Sequence, residues 1–454
     1  MTTPIADFVK KYAQSNISRF HMPGHKGKSF LGCEAFDITE INGADVMGAA
    51  SGIIAESEAN ASLLFNSRHS FYSTEGSSLS IKAMLALIKK KCPAGRKAQI
   101  LAARNAHKSF VYACAVLDID AKWIYPKDFT HLCTCVINPS ELEEALDNSE
   151  SLPDAVYITS PDYLGNISDV KGLAKICHEY GIPLLVDNAH GAYLSFLKSS
   201  LHPLALGADM CADSAHKTLP VLTGGAYLHI SKNYNEFSVQ EIRNVMSIFA
   251  STSPSYLTLQ SLDLCNAYIA NGYTQRLDLF VKKIRLLKKK LSEIGFPPIS
   301  SSFSEELKIV FSRDTCGYSG NELKSSLAGS GIEIEFADAD YAVLMLTPEN
   351  SDQDLIRLYN AFRSMERRAA SISAKKAFTI THAQYAMSIR EAILSDSEIL
   401  PIKNAEGRIC ASPTVSCPPA IPILVSGERI DKASIDLLRY YGIGKIEVTK
   451  NKAP

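Results

Sequence analysis

The feature that most constrains this chain is an alternation, from about residue 70 to 230, of short apolar runs with stretches whose apolar residues recur at helical spacing. A parallel strand pair needs a long crossover, usually a helix, so this alternation is how a parallel sheet with helices on both faces is written in sequence. The spacing predicts strands at Gln99 to Ala103, Ala155 to Thr159, Pro183 to Asp187, Ala208 to Ala212 and Gly225 to Ile230. It predicts helices at Leu79 to Lys91 and at Val170 to Tyr180, the second closed by Gly181 as a C-cap. The fold class is therefore α/β, with a doubly wound, mostly parallel sheet. Ligands of such sheets gather outside the carboxyl ends of the strands, which directs attention to the residues just after Thr159, Asp187 and Ala212.

Beyond the sheet, Tyr256 to about Ile294 reads as one long helical stretch, and Phe296-Pro-Pro-Ile-Ser-Ser-Ser-Phe303 as a boundary. Glu305 to Met365 reads as a small α+β unit with strands near Leu307 to Phe311 and Tyr341 to Leu346. A basic, Ser/Ala-rich stretch, Arg367 to Lys376, leads into a last segment with a helix at Lys432 to Tyr440 and a strand at Lys445 to Val448. The expected organisation is an N-terminal arm (1–60), a large domain (61–297), a small α+β domain (298–370) and a C-terminal segment (371–454).

Charge narrows the partners. With 47 Lys plus Arg against 48 Asp plus Glu, the chain has no basic excess for nucleic acid or an anionic membrane, and a small molecule is the expected ligand. No apolar run approaches the roughly 18 residues of a membrane span, and the first twenty residues show no signal-peptide core, so a cytoplasmic location is expected. Eleven cysteines without framework spacing, and a Cys133-Thr-Cys135 too tight for a zinc or redox pair, point to reduced thiols and no metal site.

The strongest chemical signal is Asp213-Ser-Ala-His-Lys-Thr-Leu219, placed after a strand and before the Gly224-Gly225 turn. Lys217, beside Ser214 and His216, suits imine formation with an aldehyde cofactor, while the hydroxyl and imidazole suit a phosphate. Alone, such a lysine is more often a surface charge. Thirty residues upstream of Lys217, Val186-Asp-Asn-Ala-His190 ends an apolar strand in an acid, Asp187. Pyridoxal 5'-phosphate needs both groups, an amine for its aldehyde and a carboxylate against its ring nitrogen. Ser73-Thr-Glu-Gly-Ser-Ser78, just before a helix, reads as a phosphate cradle, although a Ser-rich turn by itself is usually only an N-cap. His107, in Arg104-Asn-Ala-His-Lys108, could stack on the cofactor ring; a lone His is more often structural.

Together these residues resemble the fold-type I pyridoxal-phosphate decarboxylases of ornithine, lysine and arginine. The resemblance runs from His21 into the last segment. It includes His21-Met-Pro-Gly-His-Lys-Gly27, Phe36-Asp-Ile-Thr-Glu40, Ser160-Pro-Asp-Tyr-Leu-Gly165, Ser251-Thr-Ser-Pro-Ser255 and the four motifs above. It implies that Lys217 carries the cofactor as an imine, that Asp187 is the partner of the ring nitrogen and that His107 stacks on the ring. Gly76, Ser77, Ser78, Ser214 and His216 would hold the phosphate, with Thr252 reaching it from a second subunit and His190 beside the cofactor. It also implies a homodimer, or an assembly of dimers, with shared active sites.

By the same resemblance the reaction is decarboxylation of a basic amino acid to its amine in polyamine biosynthesis, with arginine the first choice and lysine or ornithine next. The cofactor does not choose the bond that breaks, so an aminotransferase or carbon–sulfur lyase on this fold stays open, as does a non-catalytic binding protein. The chain begins about twenty residues before His21 and so resembles the short form without an N-terminal wing domain. Two features depart from the family pattern. Many relatives have Asn-Gly-Thr-Ser where the cradle here reads Thr-Glu-Gly-Ser-Ser, and Glu75 is unfavourable beside a phosphate unless it turns away. Cys417-Pro-Pro-Ala-Ile-Pro-Ile-Leu-Val-Ser-Gly-Glu428 is similar to a family signature that has aromatic-Pro-Pro-Gly and a Pro before Gly-Glu; Glu428 could receive the distal cation of a basic substrate, the alternative being a surface loop acid.

Overall fold

The structure, a computed structural model, describes residues 1–127, 131–299, 301, 303–369, 384–415 and 420–450. The Cys417-Pro-Pro start of the last signature and most of the Arg367 to Lys376 stretch lie outside the described residues. The chain divides into two compact units, the first built from Met1–Arg96, Pro153–Ser160 and Val170–Gln275, the second from Lys97–Leu152, Pro161–Asp169 and Arg276–Pro454. Residues 97–152 and 161–169, which sequence order assigns to the large domain, thus group with the C-terminal part.

Seven strands fall in the region of alternation: β1 (His69–Ser73), β2 (Gln99–Ala103), β3 (Asp120–Ile124), β4 (Ala155–Thr159), β5 (Leu184–Asp187), β6 (Met210–Asp213) and β7 (Ala226–Ile230). In the first unit the order is β1, β7, β6, β5, β4. β4, β5 and β6 are parallel, whereas β7 runs antiparallel to both β6 and β1. All residues of β5, β6 and β7 are buried, as expected of strands covered on both faces and written as continuous apolar runs. The register pairs Thr159 with Asp187 and Asp187 with Ala212, so the carboxyl ends of β4, β5 and β6 lie side by side. That edge carries the Asp187 turn and, one turn beyond Asp213, Lys217.

Helix Ser77–Lys91 packs a nearly continuous apolar surface, with Leu79, Ile81 and Ala83 through Ile88 all buried. The predicted long helix after Tyr256 is two helices, Tyr256–Ala270 and Tyr273–Glu293. The break falls at Gly272, whose φ of +80° is left-handed and cannot continue a right-handed helix. Asp263, on the first of these helices, accepts the Ile5 and Ala6 N–H groups at 2.9 Å each and so caps the N-terminal helix Pro4–Ala13.

In the second unit β2 and β3 are parallel. A small antiparallel sheet joins Lys308–Ser312, Tyr341–Met345 and Phe336–Ala337, and Ser397–Pro401 pairs with Lys445–Thr449. Lys308 is buried, its ammonium matched by Glu305 at 2.8 Å and the Asp162 carbonyl at 2.9 Å. Among the described residues no helix is long and apolar enough to cross a membrane. The ten described cysteines are free, eight of them buried.

Candidate active site

The first unit brings together Lys217, Asp187, His190, Ser214, His216 and the cradle at Gly76. Lys217 sits on the one-turn helix Ala215–Thr218, directly after β6. Its Nζ lies 3.1 Å from Nε2 of His190, a residue of the turn that follows β5. Asp187, the last residue of β5, is 2% exposed; one carboxylate oxygen accepts the Ala189 N–H at 3.1 Å and the other the Tyr157 hydroxyl at 3.2 Å. Burial pushes the Asp187 carboxyl above its ordinary value, and the positive charge of Lys217 is the largest influence pulling it back. A buried acid held in the field of a lysine, with spare acceptor capacity, suits a protonated ring nitrogen.

The cradle is shaped by backbone. Gly76 caps helix Ser77–Lys91 with φ +70° and ψ −179°, a conformation that is essentially glycine's alone. Its N–H donates to the Gly224 carbonyl at 2.7 Å, and the Ser73 hydroxyl donates to its carbonyl at 2.9 Å. Gly224 itself has φ +94°, and a Cβ there would stand 2.7 Å from the Thr74 carbonyl oxygen. Across from the helix start, the Ser214 hydroxyl donates to Ser77 Oγ at 2.9 Å, which places two hydroxyls beside the first turn's N–H groups. Glu75 is exposed and accepts the Ser251 N–H at 2.6 Å, so its carboxylate is engaged by the 251 backbone. His216 donates from Nδ1 to the Gly225 carbonyl at 3.0 Å. Burial lowers the His216 pKa, with Lys217 adding to the effect.

Thr252 is exposed and lines a cavity of about 180 Å³ with Glu58, Tyr72 and Arg243. Also in the first unit, His25 pairs with Asp37 at 3.2 Å, joining two segments that carried the family resemblance.

His107 and Glu428 belong to the second unit. His107 caps helix Lys108–Leu117, its Nδ1 accepting the Ser109 N–H at 3.2 Å. Glu428 is fully buried and not a surface loop acid. Its Oε2 accepts the Val425 N–H at 2.7 Å and pairs with Arg104 at 3.4 Å, while Oε1 has no hydrogen-bond partner among the described residues. Burial raises the Glu428 carboxyl and Arg104 opposes it. Arg104 also donates to the Pro422 and Ile423 carbonyls at 2.8 and 3.0 Å, so the turn bearing His107 is pinned to the segment before Glu428.

Sequence reasoning passed over Tyr157, Asn188 and Gly224. Tyr157 gave no signal inside an apolar strand, whereas Asn188 and Gly224 stand within quoted motifs and could have been found by asking what each motif needs besides its reactive group.

An acid ending one parallel strand, a lysine after the next and a Gly/Ser helix start define the fold and site class of the fold-type I pyridoxal-phosphate enzymes. Residues 3–303 match the major domain of the Orn/Lys/Arg decarboxylases, and residues 368–454 match their C-terminal domain. The chain belongs to the Orn/Lys/Arg decarboxylase family, whose members are carboxy-lyases. It is 28% identical to an arginine decarboxylase of Bacillus subtilis, an alignment covering 96% of this chain and 93% of the relative. It is 31% identical to the uncharacterized protein YaaO of the same organism, over 96% of this chain and 94% of that one. Among solved structures, the Escherichia coli constitutive lysine decarboxylase superposes with a TM-score of 0.76 at 16% identity, over 99% of this chain and 82% of that chain. Lysine decarboxylase A from Pseudomonas aeruginosa gives 0.80 at 16% identity, over 97% and 76%.

Proposed function

We propose that this protein decarboxylates a basic amino acid, arginine before lysine or ornithine, with pyridoxal 5'-phosphate as cofactor. The observation that carries the reading is the pairing of Lys217 with buried Asp187 at adjoining strand ends, in a chain of this family. The donor set fits the cofactor: an amine for the aldehyde, a buried acid for the ring nitrogen, and a glycine-opened helix start with two serine hydroxyls for the phosphate. When bound, the cofactor supplies an electron sink for the pair left behind as carbon dioxide departs.

The chain's residues do the rest. Lys217 would hold the aldehyde, and Asp187 would keep a proton on the ring nitrogen. Gly76, Ser77, Ser78, Ser214 and His216 would hold the phosphate, and Thr252 would reach it from a second subunit. His190 would sit beside the cofactor and can hold or pass a proton at Nε2, next to Lys217 Nζ. His107 is proposed, on the family resemblance, as the imidazole facing the ring. Oε1 of Glu428 is the acceptor proposed for the distal cation of the substrate, since a buried carboxylate oxygen without a partner gains most from one.

A homodimer, or an assembly of dimers, is proposed as the working form. Phe20, Phe30 and Leu31 of the first unit, 95%, 79% and 88% exposed, support an apolar contact with a second copy. A cytoplasmic enzyme of polyamine biosynthesis is the matching setting. The test is to incubate the protein and pyridoxal phosphate with arginine, lysine and ornithine separately, measuring carbon dioxide and the amine. Keto-acid formation without gas would overturn the decarboxylase reading.

A further inference from the structure

Behind Lys217 the first unit holds a polar cluster that the proposed chemistry does not use. Asp213 ends β6 and is completely buried. Its Oδ2 accepts from His202 Nε2 at 2.9 Å and stands 3.4 Å from His229 Nε2. Its Oδ1 accepts from the Asn188 side-chain amide at 2.8 Å and from the Cys211 thiol at 3.1 Å. Against the burial that would raise it, His202 and His229 hold the Asp213 carboxyl well below the usual carboxylate range. The imidazoles are fixed from behind: His202 Nδ1 accepts the Leu204 N–H at 3.4 Å, and His229 Nδ1 meets Ser70 Oγ at 2.7 Å.

His202, Cys211 and Asp213 are residue types that bind metals, yet this cluster is a hydrogen-bonded hub. The His202 nitrogen touches the carboxylate directly, and burial pushes the Cys211 thiol well above its ordinary range, so it keeps its proton and donates.

The bond that matters for function is the one to Asn188. Asn188 directly follows Asp187, and its N–H donates to the Ala212 carbonyl at 2.9 Å. Gly191 makes room for it, since a Cβ there would lie 1.9 Å from Asn188 Oδ1. The turn 187–190, with Asp187 at one end and His190 at the other, is therefore clamped to the residue that starts the Lys217 segment.

We propose that Asp213 is a positioning residue, a hydrogen-bonded hub that sets Asp187 and His190 against Lys217 by gripping Asn188. This rests on the reading of Lys217 as the cofactor lysine. The test titrates full-length apoprotein with pyridoxal phosphate, following absorbance, and measures thermal unfolding of each apoprotein. Asp213→Asn sets an amide against a ring of donors and should weaken cofactor affinity about 10- to 100-fold. Asn188→Ala leaves the His202 contact in place and should weaken affinity about tenfold, with the double variant within about threefold of Asp213→Asn, because the two share one interaction. Ser70→Ala, which removes the hydroxyl shared by His229 Nδ1 and Ser67 Oγ on the side away from Asp213, should lower the unfolding temperature with affinity within about threefold of wild type.

Unchanged affinity in Asn188→Ala, or effects that multiply independently in the double variant, would overturn the assignment even if Asp213→Asn does not fold. Borohydride reduction of the wild-type holoprotein should place the adduct on Lys217. An adduct elsewhere would strike the proposed function itself, a result separate from failed coupling between Asp213 and Asn188.

Discussion

Nζ of Lys217 stands 3.1 Å from Nε2 of His190, while the charge of the same lysine is the largest influence drawing the Asp187 carboxyl down. One side chain therefore addresses both ends of the turn that follows β5. Removing it disturbs an electrostatic balance as well as a nucleophile.

For this reason Lys217→Ala should lower carbon dioxide release by at least about 10³-fold, the loss expected for the lysine proposed to hold the cofactor aldehyde. The visible absorbance that wild type gains with pyridoxal phosphate should disappear, because Lys217 is the amine proposed to hold the aldehyde. Activity assays with each basic amino acid and an absorbance scan of the reconstituted variant check this.

Gly224→Ala should loosen the cradle. The added methyl meets the Thr74 carbonyl at 2.7 Å and the residue must keep φ +94°, so the Gly76–Gly224 hydrogen bond has to give way. Gly76→Ala meets no close neighbour, its nearest contact being 3.9 Å, and acts through backbone strain alone, about 1–3 kcal/mol. Both should weaken cofactor affinity in equilibrium titration, Gly224→Ala with the larger drop in unfolding temperature.

The Arg104–Glu428 pair should be costly to break from either side. Each partner is almost fully buried, so removing one strands the other's charge or forces it to neutralise, a loss of about 3–5 kcal/mol. Arg104→Ala should therefore shift the urea midpoint strongly downward. Glu428→Gln, which leaves Arg104 its backbone carbonyls, should shift it less and raise KM for the substrate more than it lowers kcat.

Stability should also carry a signature of Asp263. Burial raises its carboxyl to about 6, opposed by the Ser57 hydroxyl and the Ala6 and Ile5 N–H groups. In the unfolded chain an aspartate titrates near 3.9, so between about pH 4 and 6 the folded protein keeps a proton that the unfolded chain has released. The contribution is full below about pH 4 and lost as pH rises through 6, a fall of about 2–3 kcal/mol. Asp263→Asn should flatten that part of the profile, as read from urea unfolding at a series of pH values.

Much of this was legible in sequence because its causes are local. Gln99–Ala103 and Ala155–Thr159 fall where continuous apolar runs put them, since strands buried on both faces admit few polar residues. β1 was missed because His69-Ser-Phe-Tyr-Ser73 has three polar residues, two of them buried serines, Ser70 being matched by the distant His229. The break at Gly272 was passed over because apolar periodicity continues through it. Lys217 and Asp187 announce themselves through chemistry at strand ends. The clamp from Asp213 to Asn188 does not, because it exists only once β5 and β6 are neighbours. The same holds for Glu428, whose buried counter-ion lies more than three hundred positions earlier in the chain.

The interleaving of the two units has a consequence for biogenesis. The first is complete only when Gln275 has been made, after two excursions of the chain into the second, and the second needs the C-terminal residues. Neither exists as an uninterrupted stretch of polypeptide. During translation each must therefore wait with exposed apolar segments for pieces synthesised much later, the situation in which slow folding and a need for chaperones arise.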